Sequence, residues 1–149
     1  MARTPPPGAA LHDSPDEVEA QFYEAMQQGD INKLMATWAD DDDIACVHPG
    51  GARLVGAAAI REAFEAIFAN APVPVRLEQV RRFSALGCAV HHVVESITVE
   101  GPQGPQQAWV LSTNVFVKTA QGWRMAAHHA SPANPEDLNS TGDAPSTLH

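Results

Sequence analysis

From Val18 to Phe68 the apolar positions mostly recur every three or four residues, and from Val73 to Ala130 mostly every second one. The first period is that of helices half-buried along one side, the second that of strands with two unlike faces. Helices therefore come first and strands after. Ser14-Pro15-Asp16-Glu17 has the form of a capping box with proline at the first helical position. Val18, Phe22, Ala25 and Met26 follow as one stripe, and Gly29 ends the helix. Asp30 caps a second helix whose stripe is Ile31, Leu34, Met35 and Trp38. Ile44 to His48 and Arg53 to Val55 read as two short strands around a Pro49-Gly50-Gly51 turn. A third helix starts after Gly56 and carries Ile60, Phe64, Ile67 and Phe68, until Pro72 and Pro74 forbid its continuation.

Four longer strands are expected at Val73–Phe83, Ala89–Val99, Gln106–Lys118 and Trp123–Ala130. Their connections are short and rich in glycine and proline, which favours an antiparallel meander. Helices grouped ahead of such a meander pack on one of its faces, an α+β layer arrangement. The expected domain is 14–131. Residues 1–13 and 132–149 hold too little apolar surface to offset the entropy of ordering, and are expected to be a mobile arm and tail.

Composition narrows the partners. The 149 residues suit one domain, and 44% apolar with 18% charged is globular composition. A formal net charge of −9 argues against nucleic acid and anionic membrane, both of which need a basic surface. No apolar run reaches the ~20 residues of a membrane helix, and the proline-rich start has no signal-peptide core, so the expected location is cytoplasmic. Cys46 and Cys88 lie in apolar strand-like runs without a CxxC spacing and read as free thiols.

His48 is the first candidate for chemistry. An imidazole takes and returns protons near neutrality, and Ile44, Cys46 and His48 share one strand face that is otherwise apolar. Asn114 sits in an apolar strand, where a buried amide must bond a neighbour or face a wet or ligand-filled pocket. In His91-His92 and His128-His129 only one member of each pair can face inward. On the last strand Trp123, Met125, Ala127 and His129 make the more apolar face, which favours His129, although a bulge would reverse the choice. Between His91 and His92 the two faces are nearly equal in polarity. Glu95 either points inward, where desolvation would raise its pKa, or lies on an outer face. Trp38, Phe64 and Phe116 read as pocket wall or core. No short-range metal motif is present, so neither a metal nor another cofactor is expected, and Asp40–Asp43 reads as a solvated loop.

The order of several pieces resembles the nuclear-transport-factor-2-like superfamily, in particular its SnoaL-like and ketosteroid-isomerase-like branch. They are Gly29-Asp30, Trp38-Ala39-Asp40-Asp41, His48-Pro49, Gly56 with Ala59-Ile60-Arg61-Glu62 and Phe64, Thr113 to Val117, Gly122-Trp123-Arg124 and His128 to Pro132. The ending is also similar to the association domain of calmodulin-dependent kinases. The resemblance implies a cystatin-like cone, with a curved antiparallel sheet wrapped around the first helix, a pocket between them, and homodimers formed through the sheet's outer face. It places the family's aspartate base on His48, its tyrosine on Phe22 and its second acid on Asn114, while Tyr23 is expected to turn away. Steroid isomerisation is therefore not expected. The expectation is a pocket for an apolar, carbonyl-bearing small molecule, worked by His48 and Asn114 as catalytic residues in a cofactor-independent isomerase, cyclase or hydratase. Phe22, Trp38, Phe64, His92, Glu95, Phe116, His128 and His129 are the expected ligand contacts. The alternative is a non-catalytic ligand-binding or assembly domain on the same fold.

Overall fold

The computed structural model describes residues 12–139. Helix α1 spans Pro15–Gln28 and α2 Ile31–Met35; strands β1 (Ala45–Val47) and β2 (Arg53–Val55) precede α3 (Ala57–Asn70). Strands β3 (Val75–Ala85), β4 (Cys88–Gly101), β5 (Gly104–Thr119) and β6 (Gly122–Ala133) follow, and a 3-10 turn covers Pro135–Asn139. The last strand thus runs past the expected domain end. What remains of the expected mobile ends, residues 1–11 and 140–149, lies outside the described residues.

The helix signals act as the sequence dictates. Ser14 Oγ accepts from Glu17 N–H at 3.2 Å, and Asp30 caps α2 by accepting from Lys33 N–H at 3.0 Å. Gly29 closes α1 in the left-handed region (φ 66°), with its N–H on the carbonyls of Ala25 and Met26. Helix α2 is shorter than its stripe. Residues 37–39 give their backbone to β6 instead: Met125 N–H donates to Thr37 O (2.7 Å) and Ala39 N–H to Met125 O (2.9 Å). Trp38 is carried in as a bridge residue, 5% exposed.

One sheet holds all six strands, in the order β2-β1-β6-β5-β4-β3. Strands β3 to β6 form the expected antiparallel meander, but β1 lies parallel to β6, so the sheet is mixed. A three-residue strand pairing with residues far along the chain leaves no local signal of that pairing. Between β5 and β6 the register shifts: Val115 faces Ala127 and Phe116 faces Met125, leaving Ala126 as the extra residue. Helix α1 and α3 cover the inner face of the sheet with Val18, Phe22, Ile60 and Phe64, against Cys46, Ala89, Phe116 and Met125, all at most 1% exposed. Each large side chain so buried contributes about 1.5–3 kcal/mol. No helix of the described residues is long and apolar enough to cross a membrane.

Candidate functional site

The sheet register gathers chemistry into one row. Across the inner face, Cys46 of β1, His128 of β6, Asn114 of β5, His91 of β4 and Arg82 of β3 stand as successive lateral partners. Three of them are buried polar side chains: His128 at 4%, Asn114 at 0% and His91 at 1% exposure. Above the row, α1 presents two adjacent stripes. Val18, Phe22 and Ala25 form the apolar one; Glu19 and Tyr23, four residues apart, form a polar one beside it.

The two layers are joined by a continuous hydrogen-bonded network. Asn114 Nδ2 donates to Glu19 Oε2 and to the Tyr23 hydroxyl, both at 3.0 Å. Tyr23 in turn donates to Glu95 Oε2 at 2.5 Å. His91 Nδ1 meets Glu19 Oε1 at 2.9 Å, and His128 Nδ1 meets Asn114 Oδ1 at 2.6 Å. Because the Asn114 amide nitrogen is committed to donating, its oxygen accepts and the proton belongs on His128 Nδ1. His128 Nε2 is then left as an acceptor.

Burial sets the protonation states. His128 is lowered to about 3, first by desolvation and then by repulsion from His48 and His129, so it is a neutral imidazole at pH 7. His48, half-buried, is also lowered by desolvation. Its ring packs edge-on against Phe64 with centroids 4.8 Å apart, and its Nε2 lies 3.9 Å from Cys46 Sγ. Glu95 is raised by burial, opposed by the hydrogen bond from Tyr23. Tyr23 is held well above its ordinary value, by burial and then by the Glu95 charge. The Cys46 thiol is pushed up to about 12 by burial, which leaves it an inert, protonated core residue. The set therefore offers neutral imidazoles at one end and a tyrosine–carboxyl pair at the other, both held by partners.

Several expectations change. His129 and His92 are exposed on the opposite face, where His92, Thr113 and His129 form their own lateral row. The extra residue Ala126 reverses the alternation on β6 and turns His128 inward in place of His129. On β4 the inward set is Ala89, His91, Val93 and Glu95, which decides for His91 over His92. Tyr23 does not turn away. The sheet and α3 wrap so much of α1 that residues about 100° apart around the axis are both enclosed, and Phe22 and Tyr23 are 0% and 3% exposed. Phe22, an expected ligand contact, packs in the core, with ring centroids 5.1 Å from His128, 6.0 Å from Phe64 and 6.3 Å from Trp38. Phe116 packs on His91 at 4.9 Å. Glu19 and Tyr23 were missed as members of this network, and His91 had been left open against His92; the i, i+4 pairing of Glu19 with Tyr23 beside an apolar stripe was the available signal.

The outer row lines a separate groove of about 740 Å³, whose walls include Arg81, His92, Leu111, Thr113, His129 and Leu138. It lies across the sheet from the buried network.

Comparison with known proteins agrees with this architecture. The SnoaL-like domain family matches residues 16–135. A structure from Thiobacillus denitrificans, named as a calcium/calmodulin-dependent protein kinase type II association domain, is 33% identical. It aligns over 83% of this chain and 98% of its own, with a TM-score of 0.75. A Streptomyces avermitilis protein named as a dehydratase of the nuclear-transport-factor-2-like family is 30% identical, over 79% of this chain and 93% of the other (TM-score 0.71). A ketosteroid isomerase-like protein from Erwinia carotovora atroseptica shares the fold at 20% identity, over 80% and 94% of the two chains (TM-score 0.64). No curated protein matches the chain by sequence. By the family match across most of its length, and by the cone that buries α1 in a six-stranded sheet, the chain belongs to the SnoaL-like family of the nuclear-transport-factor-2-like superfamily.

Proposed function

We propose that the protein is a cofactor-independent acid–base enzyme of the isomerase or dehydratase type, acting on an apolar small molecule that carries a carbonyl group. The observation that carries this reading is the buried network Glu95–Tyr23–Asn114–His128, with His48 beside its imidazole end. Burying two carboxylates, two imidazoles, a phenol and an amide costs desolvation that an apolar core would avoid. Tyr23, Glu95, His48 and His128, each shifted by burial, are concentrated there, which supports a site where protons move. In this reading His48, kept neutral by burial, takes a proton next to the substrate carbonyl. His128, fixed by Asn114 and left with Nε2 as an acceptor, orients a substrate hydroxyl. Glu19 and Tyr23, the latter fixed by Glu95, hold the amide that aligns His128. Glu95 and Tyr23 also supply a tyrosine–acid pair, but Tyr23 stands one residue on from the position the resemblance indicated and Glu95 lies on β4 rather than at Asn114 of β5, so steroid isomerisation is still not the reaction we propose. The Streptomyces avermitilis likeness supports the dehydratase side of the class.

The test is exchange of carbon-bound hydrogen with deuterium oxide in a panel of apolar ketones and β-hydroxy ketones, followed by mass spectrometry. Exchange above background that disappears in His48→Ala is the expected result. Equal exchange with the wild type and with His48→Ala would remove the enzymatic reading.

A second reading, an assembly domain without catalysis, draws on the outer face of the sheet. Phe83 and Leu111 are 64% and 43% exposed there, near the His92–Thr113–His129 row. The 33% likeness to an association domain supports self-association, for which this apolar face is the surface we propose. Sedimentation of the wild type against Leu111→Asp separates the two: a dimer lost in the variant, with no exchange activity in either, would favour assembly.

A further inference from the structure

At the open end of the interior row, where β3 and β4 meet the first turn of α1, three potential metal ligands come together. Asp16 and Glu19 lie three residues apart on α1, and so on one helical face. Together with His91 of β4, they offer donor atoms that all lie within 4.8 Å of one another. His91 stands between the carboxylates, with Nδ1 at 2.9 Å from Glu19 Oε1 and Nε2 at 4.0 Å from Asp16 Oδ1. Glu19 and His91 are 3% and 1% exposed, while the Asp16 side chain is 58% exposed and free to turn. A cation already sits against this group: Arg82 Nε donates to Asp16 Oδ1 at 2.8 Å, from a side chain that is 50% exposed.

We propose that Asp16, Glu19 and His91 bind a divalent transition metal of the zinc class, in competition with the Arg82 guanidinium. One imidazole and two carboxylates are the ligand set of a zinc-type site that keeps an open position, here on the solvent side of Asp16. Such ligands hold the ion at about 2.0–2.2 Å, and so stand about 3.3 Å from one another. The ion takes one ring nitrogen: at Nδ1, Glu19 is already near that spacing, and Asp16, now on the Nε2 side, would have to swing toward Nδ1 and leave Arg82. A buried imidazole is the wrong donor for calcium or magnesium, which take oxygen. The second oxygen of Glu19 stays on Asn114 Nδ2, so the ligand is oriented by an outer partner, as metal carboxylates generally are. The bound ion would tie α1 to the edge of the sheet.

Zinc is titrated into the full, tag-free chain by calorimetry, and the stoichiometry is read by native mass spectrometry. The expected result is one ion per chain at micromolar zinc, weakened about tenfold or more in Asp16→Asn and tightened in Arg82→Ala. Both substitutions fall on half-exposed side chains, and circular dichroism checks that each variant is folded. Replacing zinc with cobalt(II) should give the visible absorption of a low-symmetry nitrogen–oxygen site, absent in Asp16→Asn. No stoichiometric ion at micromolar zinc, or binding that is unchanged in Asp16→Asn but lost in His92→Ala with His129→Ala, would overturn the proposal.

Discussion

Replacing Tyr23 with phenylalanine removes one oxygen atom from the centre of the buried network while keeping the ring that packs on Phe22 at 5.1 Å. Two bonds go with it: the 2.5 Å donation to Glu95, and acceptance from Asn114 Nδ2 at 3.0 Å. The first is a hydrogen bond to a carboxylate that is 4% exposed, so water cannot easily replace the phenol. Bonds of that kind contribute about 1.5–3 kcal/mol, against about 0.5–1.5 kcal/mol for neutral ones. Asn114 keeps its bond to Glu19, which limits the second loss. Tyr23→Phe should therefore cost about 2–3 kcal/mol where Glu95 is ionised. The sign with pH follows from Glu95, whose folded-state pKa is raised by burial and held down only in part by Tyr23. An acid raised by folding favours the folded state at low pH, and that contribution is lost as pH rises through the folded value. Removing the phenol raises Glu95 further, so the variant should lose more at high pH, where the carboxylate is ionised, than at low pH, where only a neutral bond of about 1 kcal/mol is lost. Urea unfolding followed by tryptophan fluorescence at pH 5 and pH 8 reads both values. A loss below about 0.5 kcal/mol at both pH values, or a larger loss at pH 5, would refute the network as drawn.

Three further outcomes are expected. His128, lowered to about 3 in the fold, must refuse a proton that the unfolded chain accepts near pH 6.5, so it destabilises the protein progressively from about pH 6.5 down to pH 3, by about 4–5 kcal/mol in full. His128→Gln should flatten the acid limb of a stability–pH curve measured by urea unfolding. Phe64→Ala, at a site 1% exposed between Phe22, Phe68 and His48, should cost about 3–5 kcal/mol, and opening that wall should raise the His48 pKa in an NMR titration. Gly29→Ala forces a side chain into φ 66° with Pro72 Cγ at 3.4 Å, and should lower stability by about 1 kcal/mol in the same unfolding assay.

What the sequence showed and what it hid divide along physical lines. The caps at Ser14 and Asp30, the stop at Gly29 and the barrier at Pro72 and Pro74 are local effects, and a local reading finds them. The two-residue period from β3 to β6 likewise survives as strands, extended by one to three residues at most of their ends because backbone pairing continues after the apolar pattern fades. His48 and Asn114 were legible as polar residues on apolar runs. The parallel contact of β1 with β6 was not, since it depends on where α3 carries the chain. Tyr23 and Glu19 were hidden for another reason. A stripe is read as the buried side of a helix on a flat surface, but α1 is enclosed on more than one side, so its buried arc is wider than its apolar one. His91 stayed undecided because β4 is covered on the inner face and only partly open on the outer, which blurs its alternation.

The extra residue at Ala126 has a consequence for how this protein tolerates change. Strand registers are altered in evolution by insertion and deletion, and a one-residue slip exchanges every side chain downstream between interior and surface. The chain carries histidine at both 128 and 129. Deleting Ala126 alone would leave Met125 opposite Phe116, Ala127 opposite Val115 and His128 opposite Asn114, so the imidazole in the row keeps its place. The bulge thus acts as slack in the strand: a one-residue deletion that would exchange interior and surface elsewhere on the sheet only straightens β6 here.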